Sequence, residues 1–213
     1  MRTGQQFRRG LVPMLGALIE YSRVLEREIA SFNSIEAAES VNTTPIGRKD
    51  ELAKEKIKII MQTYCHDYPE WVFKRGFNRF LRGGFRYILI HIDQVIDAFF
   101  SLDYYLSQPV DTYFMTSVAP QLQRVISKNT ELLQIIHDFF AGANHALPPE
   151  NITSDITDIQ GSLKGVLPDS IELLEISPDY VILAALARDV VDLRELLLKI
   201  LASLPIDAVT VQP

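Results

Sequence analysis

The chain has 213 residues, of which 47% are hydrophobic and 23% charged, so it can bury a substantial core and is not disordered as a whole. Its formal net charge of -6 disfavours a general nucleic-acid-binding surface, which needs clustered lysine and arginine. Cys65 is the single cysteine, which excludes an intrachain disulfide and a multi-cysteine metal site.

The N-terminal region predicts an amphipathic helix over residues 5–32, because Leu11, Leu18 and Leu25 recur on one face. Its basic start and the apolar run 11–19 imitate a signal peptide. Charged residues follow that run at once and no small-residue cleavage site closes it, so we interpret it as helix. No stretch approaches the roughly 18 consecutive apolar residues that a membrane span requires, and the sequence therefore predicts a soluble chain.

A polar stretch containing Pro45 and Gly47 predicts a flexible connector over residues 33–48. Residues 49–64 then carry apolar positions beside several lysines and predict a second helix. This helix should end before Pro69, because the residue before a proline disfavours helical geometry.

Residues 79–107 predict a third helix that is apolar nearly all round, which is typical of the central helix of a bundle. Pro109 separates it from a long fourth helix, which Asp111 or Thr112 can cap. Pro120 lies inside the fourth helix and is expected to bend it or to split it in two.

Two further helices follow. Residues 153–167 repeat apolar side chains at a weaker helical spacing, and the last helix opens with Ser177 as N-cap and Pro178 at its first position. Charges four residues apart on its polar side predict intrahelical ion pairs. Since strand-like alternation is nowhere sustained, the sequence predicts an all-α fold: an antiparallel bundle of about five or six helices in one domain over residues 1–213.

Candidate catalytic and metal-binding groups are poorly spaced. His91 and Asp97 lie on nearly opposite sides of the third helix, whereas a helical metal pair needs i,i+3 or i,i+4 spacing. Asp93 and Asp97 do have that spacing, but we interpret them as a solvated edge that faces Arg86. Cys65 and His66 are neighbours that point about 100° apart, so as a nucleophile and base they would need a third, orienting group from elsewhere in the chain. We expect no metal, no cofactor and no enzymatic activity; an enzyme or small-ligand sensor around His91 or the aromatic residues described below is kept as an alternative.

A concentrated basic run leads into the third helix. We favour a solvated flank of the helix; the other interpretation is contact with an anionic surface, such as lipid headgroups or an acidic partner. The run consists of Lys74, Arg75, Arg79, Arg82 and Arg86.

An aromatic connector, residues 68–78, joins the second and third helices. It concentrates large aromatic side chains, so it should pack rather than form a polar loop. We favour a structural plug at one end of the bundle; the alternative is a pocket for an aromatic acid, with Arg75 or Arg79 pairing the carboxylate. Its characteristic residues are Tyr68, Pro69, Trp71, Phe73, Gly76 and Phe77.

The chain from the aromatic connector into the third helix resembles a stretch of FUSC-type inner-membrane proteins, the fusaric-acid-resistance and aromatic-acid-exporter-like family of bacteria. The resemblance is carried by residues 68–94. The resembling positions are Tyr68-Pro69-Glu70-Trp71-Val72-Phe73, Gly76-Phe77-Asn78, Leu81-Arg82-Gly83-Gly84, Arg86-Tyr87, Leu89-Ile90 and Asp93-Gln94.

The resemblance implies a non-catalytic soluble accessory domain at the cytoplasmic face of the bacterial inner membrane. Its partners would be transmembrane helices of the same polypeptide that flank it, with a homo-oligomer and the membrane surface as further partners. It would help to assemble or gate proton-coupled efflux of aromatic or other organic acids. The alternative is a free helical interaction module that binds a protein or an anionic membrane surface through the basic face of the helix at 79–107.

Overall fold

The computed structural model describes residues 2–33, 54–55, 57–60, 85–108, 112–143 and 178–204. Four long helices lie in these ranges, and no strand occurs in them. We call residues 54, 55 and 57–60, which are also helical, the lysine segment. The long helices are α1 (Arg2–Asn33), α2 (Phe85–Leu106), α3 (Thr112–Ala141) and α4 (Pro178–Ala202). The predicted all-α class is confirmed.

The proline positions test the predicted helix boundaries. α4 begins at Pro178, as predicted, because the first helical position needs no hydrogen-bonded amide. α3 continues as one helix through Pro120, so the predicted split into two helices does not occur. Val118, Ala119 and Leu122 are all buried on either side of this proline. Their packing holds the helix together where one intrahelical hydrogen bond is lost.

α1 and α3 run antiparallel. The hydroxyl groups of Ser22 and Thr130 are 2.7 Å apart, and Thr116 Oγ1 donates to the Phe32 carbonyl oxygen at 3.4 Å. Moving forward along α1 therefore means moving backward along α3. The same holds for α2 and α4. Ser101 donates to Asp189, and Leu106, further along α2, lines the same cavity as Ile182, which is earlier in α4.

The two antiparallel pairs stack side by side. Asn129 Nδ2 donates to the Val190 carbonyl oxygen at 3.1 Å, and Met115 lines a cavity together with Leu183, so α3 and α4 run in the same direction. α1 and α2 also run in the same direction, with the ring centroid of Tyr21 5.9 Å from that of Phe99. The described helices thus form a bundle in which antiparallel partners are sequence-distant.

A single hydrophobic core joins the four helices. Every helix contributes side chains that are completely buried in this core. Examples with 0% of their surface exposed are Leu18 of α1, Phe99 of α2, Leu133 of α3 and Leu193 of α4. α2 buries Ile88, Ile92, Val95 and Leu102 as well, although part of its surface faces outward. Burial of such side chains supplies most of the driving force for the bundle.

Several predicted elements lie outside the described residues. These are most of the flexible connector at 33–48, of which only Asn33 is described, the parts of the second helix at 49–64 beyond the lysine segment, the first residues of the helix at 79–107, and the helix at 153–167. α4 carries the expected ion pairs, Arg188 with Asp192 at 4.0 Å and Lys199 with Glu195 at 3.8 Å. Both pairs are well exposed and therefore add little stability.

Candidate functional site

The most concentrated charge in the described part of the chain is a junction between α1, α2 and the lysine segment. Lys54 Nζ lies 2.6 Å from Glu28 Oε1 and 2.6 Å from Asp103 Oδ1. Lys58 Nζ lies 3.0 Å from the other carboxylate oxygen of Asp103. The side chains of Lys54 and Asp103 are only 13% and 15% exposed. We call these four residues the lysine clasp.

The lysine clasp is electrically balanced, since two ammonium groups face two carboxylates. Burial opposes the charge of Asp103, but hydrogen bonds from Lys54 and Lys58 outweigh it and lower the pKa of this carboxyl. Burial likewise opposes the charge of Lys54, and its hydrogen bonds to Asp103 and Glu28 outweigh that effect and raise its pKa. Lys54 therefore stays protonated at neutral pH and cannot serve as a nucleophile or a general base.

Tyr21 lies beneath the lysine clasp and is fully buried. Burial, and then the negative charge of the adjacent Asp103, raise the pKa of its phenol far above the ordinary value. The phenol thus remains neutral and cannot accept a proton from a substrate at physiological pH. The junction has the chemistry of a structural clasp, which attaches the lysine segment to both α1 and α2.

A second polar contact crosses from α2 to α4. Ser101 Oγ donates to Asp189 Oδ2, and the other carboxylate oxygen accepts from Arg188 Nη2 at 3.2 Å. A serine nucleophile requires a base, and His91 lies ten residues earlier on α2, roughly 15 Å along the helix axis. Ser101 and Asp189 thus form an interhelical hydrogen bond, and His91 is too far away to act as a base for Ser101.

His91 is held by its own helix. Its Nδ1 lies 2.8 Å from Gln94 Oε1, and the Tyr87 ring meets the imidazole edge-on at 4.6 Å between centroids. The imidazole is buried, with 8% exposed. Burial and the like charge of Asp97 raise the pKa of Asp93 to about 6. No group of three or more candidate metal ligands occurs among the described residues.

One face of α2 is turned away from the core. Tyr87 and Ile90 are 61% and 44% exposed, and Gln94 and Asp97 are exposed on the same side. Their spacing of three, four and three residues places all four on one face of the helix. We call these four residues the α2 stripe. Tyr87, Ile90 and Gln94 all belong to the pattern on which the FUSC resemblance rests.

Most predicted site residues fall outside the described part of the chain. This applies to the whole aromatic connector, with Tyr68, Pro69, Trp71, Phe73, Gly76 and Phe77, and to Lys74, Arg75, Arg79 and Arg82. The backbone of Arg86 lies in α2, but its side chain is not among the described ones. The roles assigned to these residues stay predictions.

The lysine clasp itself was not predicted from the sequence. Lysines of the second helix have the composition of a solvated flank, and no local pattern indicates that Lys54 meets an acid 49 residues away. An acidic residue at a mostly apolar position of α2, Asp103, is the only signal that could have suggested a buried partner.

Comparisons with protein-family models, curated proteins and solved structures found no match to this chain. Within the described ranges, none of the helices combines the length and the apolar character that crossing a bilayer requires. The class that the structure establishes is a helical bundle.

Proposed function

We propose that this chain is a non-catalytic docking domain that works as the accessory domain of a FUSC-like inner-membrane transporter. In this role it helps to assemble the transporter or to gate efflux of aromatic or other organic acids. The observation that carries the proposal is the α2 stripe, an exposed surface to which the resembling segment contributes three of the four residues, Tyr87, Ile90 and Gln94.

The positions of the resembling residues favour a contact surface over a packing motif. Leu89 is 0% exposed and is accounted for by the core. Packing in the core does not account for Tyr87 and Ile90, because 61% and 44% of their surfaces are exposed. Exposed aromatic and branched aliphatic side chains on adjacent turns are characteristic of protein contact surfaces.

The polar groups inside the bundle support a non-catalytic role. The lysine clasp and the Ser101–Asp189 contact use their charged and nucleophilic groups to bind helices to one another. The proposed partner of the α2 stripe is the membrane-embedded part of the same polypeptide, on the cytoplasmic side of the inner membrane. Arg86 precedes the stripe in α2 and belongs to the basic run, which fits a position near anionic headgroups.

The test uses the complete protein as it is encoded in the genome. A photo-crosslinking residue at position 87 or 90 should link α2 to a hydrophobic span of the same protein in native membranes. Val181 and Leu198 provide matched controls, since both are exposed apolar residues on α4, at 52% and 41%. An open reading frame without hydrophobic spans, or equal crosslinking from all four positions, contradicts the proposal.

A free interaction module is the second candidate, and the direct succession of Arg86 and the exposed Tyr87 favours it. In this case the basic run binds an acidic protein or an anionic membrane without any membrane span in the polypeptide. Arg79→Glu, Arg82→Glu and Arg86→Glu together should abolish binding to vesicles containing anionic lipid while the helical circular dichroism stays the same. Unchanged binding rules this candidate out.

A further inference from the structure

A cavity of about 220 Å³ lies where all four helices meet at one end of the bundle. The C-terminal ends of α1 and α2 contribute Phe32, Tyr105 and Leu106 to its wall. The N-terminal turns of α3 and α4 contribute Met115, Leu183 and their neighbours. Met115 and Leu183 are buried, whereas Phe32 and Tyr105 are half-buried, so the cavity reaches from the core to the surface.

The size of this cavity suits a small molecule. Its volume of about 220 Å³ is roughly 1.5 times that of a cavity of about 150 Å³ that binds benzene in another protein. It is smaller than the sites of about 300 Å³ and more that hold drug-sized ligands. A fused two-ring molecule of roughly nine non-hydrogen atoms therefore matches the space better than a larger ligand.

The chemistry of the wall selects against charge. Among the residues that the structure describes, those lining the cavity are all uncharged, and most are aliphatic or aromatic. A carboxylate or an ammonium group placed there would lose hydration without gaining an ion pair from these lining residues. The cavity is thus suited to a neutral, mainly apolar ligand.

Gln108 provides one directional polar group at the wall. Its Nε2 donates to the Tyr104 carbonyl oxygen at 3.2 Å, which fixes the orientation of the amide. The amide oxygen is then the acceptor that the side chain can offer to a ligand. A ligand with one N–H or O–H donor complements this arrangement.

We propose that the cavity is a binding site for a small neutral aromatic or cyclic apolar molecule carrying a single hydrogen-bond donor, with Gln108 Oε1 as the acceptor. The proposal concerns the end of the bundle and does not depend on the α2 stripe or on a membrane partner. If the cavity binds no such ligand, the proposed docking function is unaffected. If the docking function is disproved, the proposed ligand site is likewise unaffected.

Indole, benzofuran and indole-3-carboxylate are the probes for this site, measured by calorimetry and by thermal unfolding of the full chain. Indole should bind and raise Tm at millimolar concentration, because a ligand that binds only the folded state stabilises it. Benzofuran has the same shape without the N–H, and should bind about fivefold more weakly, as expected for one net hydrogen bond. Indole-3-carboxylate should bind at least about tenfold more weakly, because its charge is not compensated.

Variants separate the cavity from the outer surface. Leu186→Phe fills the space from a buried wall position and should abolish indole binding. Ile182→Phe also fills the cavity and serves as the second variant if Leu186→Phe fails to fold. Ile182 is half-buried, and a larger side chain is easier to accommodate at such a position. Val181→Phe is the matched control, since Val181 is the next residue, is 52% exposed and does not line the cavity; this variant should bind indole normally.

Gln108→Leu tests the polar contact and should remove the difference between indole and benzofuran. The proposal is overturned if indole produces neither heat nor a Tm shift at millimolar concentration. It is equally overturned if indole binding survives in a folded Ile182→Phe or Leu186→Phe variant, because the ligand would then occupy another place.

Discussion

Lys54 Nζ lies 2.6 Å from Asp103 Oδ1, although 49 residues separate the two in the chain. The same ammonium group contacts Glu28 on α1. The lysine segment is therefore held to both α1 and α2, which otherwise approach each other through Tyr21 and Phe99. This cluster links parts of the sequence that no helical periodicity connects.

Replacing Lys54 by methionine should destabilise the protein by about 2 to 3 kcal/mol, because it removes the ammonium group that contacts both Glu28 and Asp103 at a junction largely shielded from solvent. Urea denaturation followed by circular dichroism measures this change. Arg23→Met is the control: Arg23 pairs with Glu20 at 2.7 Å, but the two side chains are 48% and 62% exposed. Its expected cost is below about 1 kcal/mol, and equal losses in the two variants would contradict the buried role of Lys54.

The lysine clasp should also give the protein a characteristic pH dependence. The folded pKa of Asp103 is lowered, so its contribution is present above the unfolded pKa of about 4 and is lost as pH falls through the folded value. The folded pKa of Lys54 is raised, so its contribution is present below the unfolded pKa of about 10.4 and is lost as pH rises above it. Unfolding free energies of the wild type and of Asp103→Asn should converge in acid; a constant difference from neutral pH down to pH 2 would exclude the ionic contribution.

Asp93→Asn should stabilise the protein at neutral pH by about 1 kcal/mol, a value reduced for partial exposure of the carboxyl. Its pKa is raised to about 6 in the folded state, so the folded protein binds more protons than the unfolded one between about pH 4 and 6. Wild-type stability therefore falls over this interval relative to the variant. Thermal unfolding at pH 3.5 and pH 7.5 checks the sign: the two proteins should be alike at the lower pH, and a variant that is less stable at pH 7.5 refutes the prediction.

Asn129 offers a test of a buried polar group. Its Nδ2 donates to the Val190 carbonyl oxygen, while its Oδ1 accepts no hydrogen bond within the described part of the chain. Val190 lies inside α4, where a carbonyl already accepts a hydrogen bond from its own helix. Asn129→Leu keeps the branching and the number of side-chain heavy atoms and should change stability by less than about 1 kcal/mol, whereas Asn129→Ala leaves a cavity and should cost about 2 to 3 kcal/mol. Chemical denaturation of both variants measures their unfolding free energies. A larger loss of stability in Asn129→Leu than in Asn129→Ala would contradict the prediction.

Trp71→Ala tests the predicted plug in the aromatic connector. If Trp71 fills one end of the bundle, its truncation should cost about 3 kcal/mol or more. Tyr87→Ala is the exposed aromatic control, with 61% of Tyr87 accessible, and should cost below about 1 kcal/mol. A similarly small effect at Trp71 would place this side chain on a contact surface instead.

The spacing of apolar residues in the sequence was sufficient to predict the long helices, because an amphipathic helix repeats its apolar side chains about every 3.6 residues. α1, α3 and α4 follow from that repeat and from Pro178, and the i,i+4 pairs of α4 follow from the same geometry. Pro120 shows where local rules stop: they left open whether this proline bends α3 or splits it, and the buried neighbours on both sides keep α3 one helix.

The candidate surfaces were less predictable. The sequence places Tyr87 and Ile90 at the edge of an apolar helix, and only the neighbouring helices decide that they face outward. The cavity beside Gln108 depends on how four helix ends meet, which no single segment encodes.

By itself, the sequence determined that this protein is a helical bundle, because local spacing of apolar residues and caps specifies each helix. The tertiary structure alone decided that α1 pairs with α3 and α2 with α4, that Lys54 joins Glu28 to Asp103, and that a cavity remains at one end. These features arise from contacts between residues far apart in the chain. The energies of these contacts depend on how deeply the side chains are buried and on the distances between them, and both are set only when the helices pack together.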